Sequence, residues 1–362
     1  MENLLNKDQK WIKQYDRPIV IAGPCSAESE IQMLETAHRM DKTYVNVFRA
    51  GIWKPRTKPG SFEGVGEIGL KWLNKVKDET GFKTATEIAN AEHAKLALEY
   101  DIDYLWIGAR STVSPFIVQE IAEALKGTKK PIIVKNPVNP DLELWIGALE
   151  RLASQGIENL GVIHRGFSTY KKTKYRNKPK WQMALDFKKR LPHIPMLIDP
   201  SHIAGNRELL YEISQQAFDL EYDGIMIESH RNPEKAWSDA EQQITPERVL
   251  ELIKAIELRG QSSDSSVYNS ALQTLRYEID ELDQGLLDAL VHRMKISEKI
   301  GVLKKENNIA VYQPHRWKEL LEKAKIDGKN SGLSIEMVEQ IYKAIHQASI
   351  EIQSKIMIDK NS

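Results

Sequence analysis

The sequence has little cysteine, no long apolar run and no excess of charge of one sign. Its single cysteine, Cys25, cannot form an internal disulfide, which favours a reducing, cytoplasmic compartment. No apolar stretch among the 362 residues is long enough to span a bilayer, and the charged N-terminus has no apolar signal-peptide core. The 51 basic residues balance the 51 acidic ones. We therefore expect a cytoplasmic protein that binds neither membrane nor nucleic acid.

Eight short apolar runs alternate with helix-like segments up to about residue 258. The runs are apolar at successive positions, which indicates strands buried on both faces. Eight β/α units in a chain of this length predict a (β/α)8 TIM barrel of the α/β class, with a doubly wound open sheet as the structural alternative. The runs occupy residues 18–24, 45–50, 82–88, 104–109, 131–136, 159–165, 195–201 and 224–229.

The carboxyl ends of these runs carry many basic side chains. In a barrel, such ends surround one mouth, where active sites are built. Arginine offers a planar fork to phosphate or carboxylate oxygens, and lysine offers a compact charge. The pattern therefore predicts anionic substrates, although any one of these residues alone would be an ordinary solvated cation. The basic residues are Arg49, Lys54, Arg56, Arg110, Lys135 and Arg165.

Four potential metal ligands also lie at or beyond the ends of predicted strands: Cys25, His202, Glu228 and Asp239. A thiolate, an imidazole and two carboxylates suit one divalent cation, with Mn²⁺ favoured and Fe²⁺, Co²⁺ or Zn²⁺ as the other options. The alternative interpretation is a small buried cysteine beside three unrelated polar residues. The surrounding basic motifs favour the metal site.

Residues 64–69 satisfy the dinucleotide-binding pattern GxGxxG. That fingerprint needs a strand immediately before it, and here a polar stretch precedes it. We interpret the glycines as flexibility in a loop and at a helix start, and we expect no nucleotide cofactor.

Seven short motifs follow one another along this half of the chain: AGPCS (22–26), FRAGIWKPRTKPGSFEG (48–64), IGAR (107–110), VKNP (134–137), HRGF (164–167), DPSH (199–202) and IESH (227–230). In this order they resemble 3-deoxy-D-arabino-heptulosonate-7-phosphate (DAHP) synthase of the type I beta subgroup, over roughly residues 17–258. That family condenses phosphoenolpyruvate with erythrose 4-phosphate at the start of the shikimate pathway. A sister enzyme, 3-deoxy-D-manno-octulosonate-8-phosphate synthase, has a similar barrel but an Asn-containing motif where this chain has KPRT (54–57).

The resemblance implies a role for each site residue. The four potential metal ligands match the ligands of the family. Arg56 and Thr57 match contacts to the phosphate and hydroxyl of erythrose 4-phosphate, and Glu87 is expected to help position the water. Lys54 is expected to donate a proton. The residues that match contacts to phosphoenolpyruvate are Arg49, Lys54, Arg110, Lys135 and Arg165.

After residue 258 the composition changes. Residues 260–268 are small and polar and predict a flexible linker between a barrel domain, 1–259, and a helical domain, 269–362. Over 269–307, apolar residues recur in steps of three and four, which predicts one amphipathic helix about 55 Å long. Such a helix normally packs against partners, so we expect a homodimer.

Two shorter helices are predicted to follow. One begins near Pro314, a favourable first helical residue, and the other runs from Ser334, an N-cap, to about Met357. Residues 270–358 resemble the all-helical AroQ class of chorismate mutase, which implies an all-α domain of three helices. That family rearranges chorismate to prephenate without a metal or a nucleophile, by electrostatic and conformational preorganisation.

By this resemblance, Lys304 and Gln353 face the ether oxygen that gains negative charge. Arg293 and Lys304 are eleven residues apart, about 20° around a helix, so they share a face. Arg276 lies on another face and is expected to reach the partner chain's site. The positions that match substrate contacts are Arg276, Arg293, Lys304, Arg316, Ser349 and Gln353.

Two positions depart from the mutase pattern. Gln313 stands where the family often has an acid, and Trp317 stands where a glutamate often follows the arginine. Both positions usually help fix the substrate hydroxyl, so we expect an active mutase in which the contacts of Gln313 and Trp317 to that hydroxyl are altered. The alternative is an active synthase whose helical domain only dimerises and senses ligand. Because only a short segment precedes the first strand, we expect feedback through the helical domain, with prephenate or chorismate as effector.

Overall fold

The computed structural model describes residues 5–54, 60, 62–170, 173–260 and 262–358. Contacts between residues divide the chain into two units, Met1–Arg259 and Gly260–Ser362. Within those described ranges, no helix combines the length and the apolarity that crossing a membrane requires.

Eight parallel strands close on themselves in the first unit, with β8 hydrogen-bonded to β1. The strands are buried at nearly every position, because helices cover the outer surface and side chains fill the interior. The closed barrel confirms the predicted TIM fold and shows that the doubly wound alternative is wrong. The strands are β1 (Ile19–Gly23), β2 (Val47–Arg49), β3 (Lys83–Ile88), β4 (Tyr104–Ile107), β5 (Ile132–Lys135), β6 (Leu160–His164), β7 (Met196–Ile198) and β8 (Gly224–Glu228).

Helices lie between the strands along the chain. Several begin at a side chain that accepts a hydrogen bond from the backbone three residues later, as Asn90, Ser114 and Thr245 do. Two 3₁₀ turns, Pro233–Lys235 and Ala240–Gln242, occupy the loop after β8. The helices of this unit are α1 (Glu30–His38), α2 (Ile68–Thr80), α3 (Ala91–Glu99), α4 (Ala109–Thr112), α5 (Pro115–Ala124), α6 (Leu142–Ser154), α7 (Trp181–Arg190), α8 (Pro200–Ala204), α9 (Leu210–Asp219) and α10 (Pro246–Ala255).

The N-terminal segment seals the amino end of the barrel. Trp11 belongs to the cluster that fills the barrel interior, and its Nε1 donates to the carbonyl of Leu160 at 2.8 Å. Its ring meets Tyr104 edge-on, with centroids 6.0 Å apart. Leu160 and Tyr104 are the first residues of β6 and β4, so the seal lies opposite the mouth. Since the amino end is closed by aromatic side chains, the open end of the barrel is the carboxyl end, where the predicted site residues lie.

The second unit consists of α11 (Ser266–Glu306), α12 (Pro314–Asn330) and α13 (Ile335–Ile358). This matches the predicted three-helix, all-α organisation. The long helix begins three residues earlier than predicted, because Ser265 caps it by accepting from the backbone of Tyr268. Helices α11 and α13 pack closely, since a Cβ at Gly301 would lie 3.2 Å from the Cα of Gln353.

Candidate active sites

Trp106 forms the floor of a polar site at the carboxyl end of the barrel. Its Nε1 donates to Glu87 Oε2 at 3.0 Å. The guanidinium of Arg49 and the ammonium of Lys135 lie over its ring, 4.8 and 5.7 Å from the centroid. Gly108 leaves room for the Glu87 carboxylate, because a Cβ there would lie 2.1 Å from Oε1. One buried indole thus orients an acid and two cations that come from β3, β2 and β5.

Three of the four potential metal ligands cluster beside this floor. Ligand atoms of Cys25, Glu228 and Asp239 all lie within 4.8 Å of one another. His202, on the first turn of α8, borders the cluster, with its Nδ1 3.8 Å from Glu228 Oε1. That oxygen is buried and has no hydrogen-bond partner among the described residues. A thiol, an imidazole and two carboxylates around an unsatisfied buried oxygen fit a divalent cation.

The charges at the cluster are strongly shifted by burial. Burial, reinforced by the negative charge of Glu228, raises the pKa of the Cys25 thiol to about 12. Lys54 Nζ lies 3.1 Å from Cys25 Sγ. Burial alone would lower the pKa of Lys54, but the charges of Cys25 and Glu228 outweigh it, and the net shift is upward. The raised pKa of Lys54 keeps its ammonium charged at neutral pH, beside a thiol that burial holds in its protonated form.

Asp199 links the metal ligands to the cations and is a site residue that our sequence analysis did not assign. Its Oδ2 accepts from Lys135 Nζ at 2.8 Å. The same oxygen lies 2.9 Å from His202 Nδ1, without the alignment of a hydrogen bond. Burial would raise the pKa of Asp199, but the charges of His202 and Lys135 hold it well below its ordinary value. The DPSH motif contained this signal.

A second group of cations surrounds Arg165 at the end of β6. Burial lowers the pKa of Arg165 to about 10, and the positive charges of Arg176 and Arg110 push in the same direction. Arg110 lies on α4 and is exposed. Like charges held this close favour a bound anion. Arg176 was not among the predicted site residues, because it lies in a loop twelve residues after β6 (164 to 176) and no strand end marks it.

The loop after β8 completes the site with residues that carry no local sequence signal. Gln242 Nε2 donates to Glu228 Oε2 at 2.6 Å, and Gln243 Oε1 accepts from the backbone of Cys25 at 2.9 Å. Arg56 and Thr57, predicted to contact the second substrate, lie outside the residues that the structure describes.

A second polar cluster lies between α11 and α13. Arg293 Nη1 donates to Ser349 Oγ at 2.8 Å, and Ser297 shares that hydroxyl at 3.2 Å. Lys304 Nζ donates to the carbonyl of Val311 at 2.6 Å, and partial burial lowers its pKa. Gln353 is buried, and its Oε1 has no partner within the described ranges. These contacts bring Arg293 and Ser349 together.

Trp317, one of the two departures from the mutase pattern, lies on α12. Trp317 stacks on His346 with centroids 3.9 Å apart. The pKa of His346 is lowered mainly by burial and also by the positive charges of Arg293 and Lys304. Because those two charges act on it, the ring of His346 lies beside the cluster. His346 was absent from the sequence analysis, because its neighbours come from other helices.

Three predicted mutase residues remain apart from that cluster within one chain. Gln313 is exposed and precedes the first turn of α12, and Arg316 is exposed with its nearest acid, Glu319, at 3.8 Å. Arg276 lies seventeen residues before Arg293 on the same helix, a distance of about 25 Å along the axis.

Comparisons with known proteins agree with this two-part organisation. The profile of the DAHP synthetase I family matches residues 4–261, and the profile of chorismate mutase type II matches residues 275–354. Phospho-2-dehydro-3-deoxyheptonate aldolase of Thermotoga maritima is 33% identical over 238 residues, 66% of this chain and 68% of that relative. A 2-dehydro-3-deoxyphosphooctonate aldolase of Geobacter sulfurreducens is 30% identical over 265 residues, 67% of this chain and 92% of that relative.

Solved structures give the same result for the barrel. The crystal structure of the Thermotoga maritima DAHP synthase has a TM-score of 0.59 at 33% identity, covering 65% of this chain and 67% of that one. A truncated form from the same organism has a TM-score of 0.57 at 30% identity, covering 65% of this chain and 84% of that one. The chain belongs to the DAHP synthetase I family and continues into a chorismate mutase type II domain, the combination of a bifunctional transferase and isomerase.

Proposed function

We propose that the barrel condenses phosphoenolpyruvate with erythrose 4-phosphate to form DAHP and inorganic phosphate. The observation that carries this proposal is the pair of cation groups beside the cluster of Cys25, Glu228 and Asp239. A substrate with a phosphate and a carboxylate needs two such groups, and an aldehyde needs an electrophilic site next to them. KPRT (54–57) favours erythrose 4-phosphate as the aldehyde.

Phosphoenolpyruvate is held by cations that are already desolvated. Nε and Nη1 of Arg49 are buried and lack hydrogen-bond partners in the described part of the chain, so they are available to an oxyanion. Lys135 and Arg165 are also buried, and Arg110 approaches from the rim. Because these groups are fixed before substrate arrives, little reorganisation is needed to hold the reacting carbon.

We propose that Cys25, His202, Glu228 and Asp239 hold one divalent cation, with Mn²⁺ favoured. When bound, the cation supplies a Lewis acid that orients and polarises the aldehyde oxygen. Asp199 would help to position His202, because its Oδ1 accepts from the backbone N–H of His202 at 3.0 Å and its Oδ2, which pairs with Lys135, lies 2.9 Å from the imidazole. A carboxylate in that position is the usual partner of a metal-binding histidine.

The reaction then uses groups of the chain for proton transfer. The methylene carbon of phosphoenolpyruvate bonds to the aldehyde carbon, and Lys54, charged and beside Cys25, donates a proton to the aldehyde oxygen. The enol carbon becomes oxocarbenium-like and is captured by water, which loses a proton. Glu87 is near enough to the floor of the site to position that water. In the resulting hemiketal phosphate, the hydroxyl loses its proton and forms the ketone carbonyl as the bond between that carbon and the phosphate oxygen breaks, and the phosphate leaves with a proton.

The substrate test compares two aldehydes. Loss of phosphoenolpyruvate absorbance is followed with erythrose 4-phosphate and with arabinose 5-phosphate, using the full chain and Lys54→Met. We expect turnover with the four-carbon sugar and a large loss in the variant. Turnover with arabinose 5-phosphate alone would make the barrel the octulosonate enzyme instead.

We propose that the helical unit converts chorismate to prephenate. Arg293, held by Ser349, would bind a substrate carboxylate, and Lys304 and Gln353 would face the ether oxygen as its bond breaks. The buried Oε1 of Gln353 lacks a partner among the described residues, which fits a side chain that awaits a substrate. Chorismate disappearance, followed by absorbance with Arg293→Ala as control, tests this activity.

A second candidate function is a dimerising sensor without turnover, which the Trp317–His346 stack favours because it fills a position where the family often places an acid. We propose prephenate as the effector of the barrel. Prephenate is titrated against barrel activity in the full chain and in Arg293→Ala. Inhibition that disappears in the variant supports feedback through the helical unit, and equal inhibition in both proteins contradicts it.

We also propose a homodimer formed through the helical unit, in a cytoplasmic protein. Apolar side chains on α11 are exposed in the single chain, including Leu282 at 69% and Leu286 at 63%. A second copy would cover this face and could bring Arg276 to a site in its partner.

A further inference from the structure

Arg176 and Asn177, in the loop after β6, contact the helix that carries His202. Their backbone N–H groups donate to the carbonyls of Ala204 and Ile203, both at 3.2 Å. The Asn177 side chain donates from Nδ2 to the carbonyl of His202 at 2.6 Å. This segment therefore lies along α8 and fixes the backbone of one predicted metal ligand.

The guanidinium of Arg176 also reaches the loop after β8. Its Nη1 donates to Asp239 Oδ1 at 2.9 Å and to Gln242 Oε1 at 2.6 Å. Gln242 in turn restrains Glu228, because its Nε2 donates to Glu228 Oε2 at 2.6 Å. One oxygen of each carboxylate is thus occupied by a donor of the chain itself.

The other oxygen of each carboxylate faces the ligand cluster. Asp239 Oδ2 lies 3.2 Å from Cys25 Sγ. Glu228 Oε1 is buried without a hydrogen bond from any described residue, and its nearest cation, Arg49 Nη2, is 3.4 Å away. Asp239 and Glu228 therefore each have one oxygen available to a metal ion, while the other oxygen of each accepts a hydrogen bond from the chain.

The fold reserves space for this arginine. Gly205, at the end of α8, has φ +72°, and a Cβ there would lie 2.5 Å from Arg176 Cβ and 3.1 Å from its Cδ. Asp239 itself has φ +49°, a left-handed conformation that is uncommon for a residue other than glycine. The space beside Gly205 and the left-handed backbone of Asp239 both accommodate the contact between Arg176 and Asp239.

We propose that Arg176 is a positioning residue which, together with Gln242, restricts Asp239 and Glu228 to one oxygen each and so selects against large cations. The inference rests on the proposed metal-dependent synthase. Ca²⁺ collects about six to eight oxygens and often uses both oxygens of a carboxylate. Mn²⁺, Fe²⁺, Co²⁺ and Zn²⁺ bind sites of mixed nitrogen, sulfur and oxygen ligands with fewer oxygens.

The experiment measures metal selectivity by calorimetric titration of the metal-free full chain with Mn²⁺ and with Ca²⁺. Removing a positive charge should strengthen the binding of both ions, so the ratio of the two dissociation constants isolates the geometric effect. We expect the preference for Mn²⁺ over Ca²⁺ to fall by about tenfold or more in Arg176→Gln. The matched control is Lys174→Gln, two residues away, whose partner is Glu212 instead. Its ratio should equal that of the unmodified chain.

Gln242→Leu provides a second arm if Arg176→Gln does not fold, because it frees Glu228 Oε2 and removes one acceptor of Arg176 Nη1 but keeps Arg176 and its other acceptor, Asp239 Oδ1. This variant should also lower the preference for Mn²⁺ over Ca²⁺, but by a smaller factor than Arg176→Gln. An unchanged ratio in either folded variant would overturn the proposed selectivity and leave the synthase proposal standing. If the unmodified chain bound neither ion, both proposals would fall together.

Discussion

The barrel mouth and the helical cluster both prepare cations for anionic substrates, but they differ in enclosure. In the mouth, Arg49 is 1% exposed and Lys135 is 4% exposed, so their charges act in a low-dielectric setting built by one chain. In the helical unit, the side chain of Arg316 is 72% exposed and the apolar face of a 41-residue helix is open. The barrel closes its own core, whereas many apolar side chains along α11 are exposed in the single chain.

The sharpest test of this comparison removes one buried cation from the mouth. Lys135→Met removes the ammonium that pairs with the buried Asp199 and a proposed contact to phosphoenolpyruvate, so we expect barrel turnover to fall by roughly 10³-fold. Chorismate turnover should not change. The control is Lys129→Met, an exposed lysine near Glu158 just before β5. A parallel loss of both activities would show that the two units depend on each other.

In the helical unit, Lys304→Met should lower chorismate turnover by roughly 10²-fold, since one donor to the developing charge is lost. Barrel turnover serves as the internal reference and should be retained. Lys299→Met, on the exposed side of the same helix, is the matched variant and should be neutral. Equal effects of the two substitutions would indicate a general electrostatic influence rather than a defined contact.

The open face of α11 predicts that self-association matters for only one of the two activities. Leu282→Asp places a charge in the proposed dimer interface, so light scattering should show a shift towards monomer. If a second copy supplies Arg276 to the cluster, as proposed, chorismate turnover should then fall by about tenfold. Gln273→Asp adds the same charge at a polar position of the helix and should leave the mass unchanged. A monomeric mass for the unmodified chain would refute the dimer.

The smallest expected effect concerns the acid stability of the barrel core. Burial lowers the pKa of His164 to about 4, and the neutral ring bonds Tyr222 Oη and the carbonyl of Pro179 at 2.7 and 2.6 Å. Because the pKa is lower in the folded state, this stabilisation is complete above about pH 6.5 and is lost as pH falls towards 4.

Between pH 7 and 5 the linkage amounts to roughly 2 kcal/mol. Urea unfolding of His164→Gln should therefore show less acid dependence than the unmodified chain. His193→Gln, which changes an exposed ring beside Asp8, should keep the full dependence. If the pH slope of His164→Gln matched that of the unmodified chain, another group would control acid unfolding.

Local patterns were enough to predict much of the architecture. Successive apolar residues marked all eight strands, and Pro314 and Ser334 marked helix starts, because burial and capping act within a few residues. Among the basic residues at strand ends, Arg49 and Lys135 do lie over one ring, that of Trp106. Gly64, part of the apparent dinucleotide pattern, is required because a Cβ would lie 1.9 Å from the carbonyl of Ile52.

The rest of the site depends on contacts between distant segments. Arg176 and Gln242 lie in loops whose paths no periodicity describes, yet they set the positions of two acids. Trp106 looks like an ordinary strand residue until the barrel closes and its ring faces Arg49. His202 was expected among the ligands, and the structure places it at their edge, drawn towards Asp199.

The single cysteine can serve as a labelling probe for opening motions of the barrel mouth. Cys25 is fully buried, and it is the only thiol in the sequence. A thiol reagent can react with it only when the surrounding loops open or the barrel unfolds. The rate of labelling therefore reports how often the surroundings of Cys25 open, and the helical unit, which has no cysteine, adds no signal. A ligand that closes the barrel mouth should slow the labelling, so ligands can be ranked by how much they slow it.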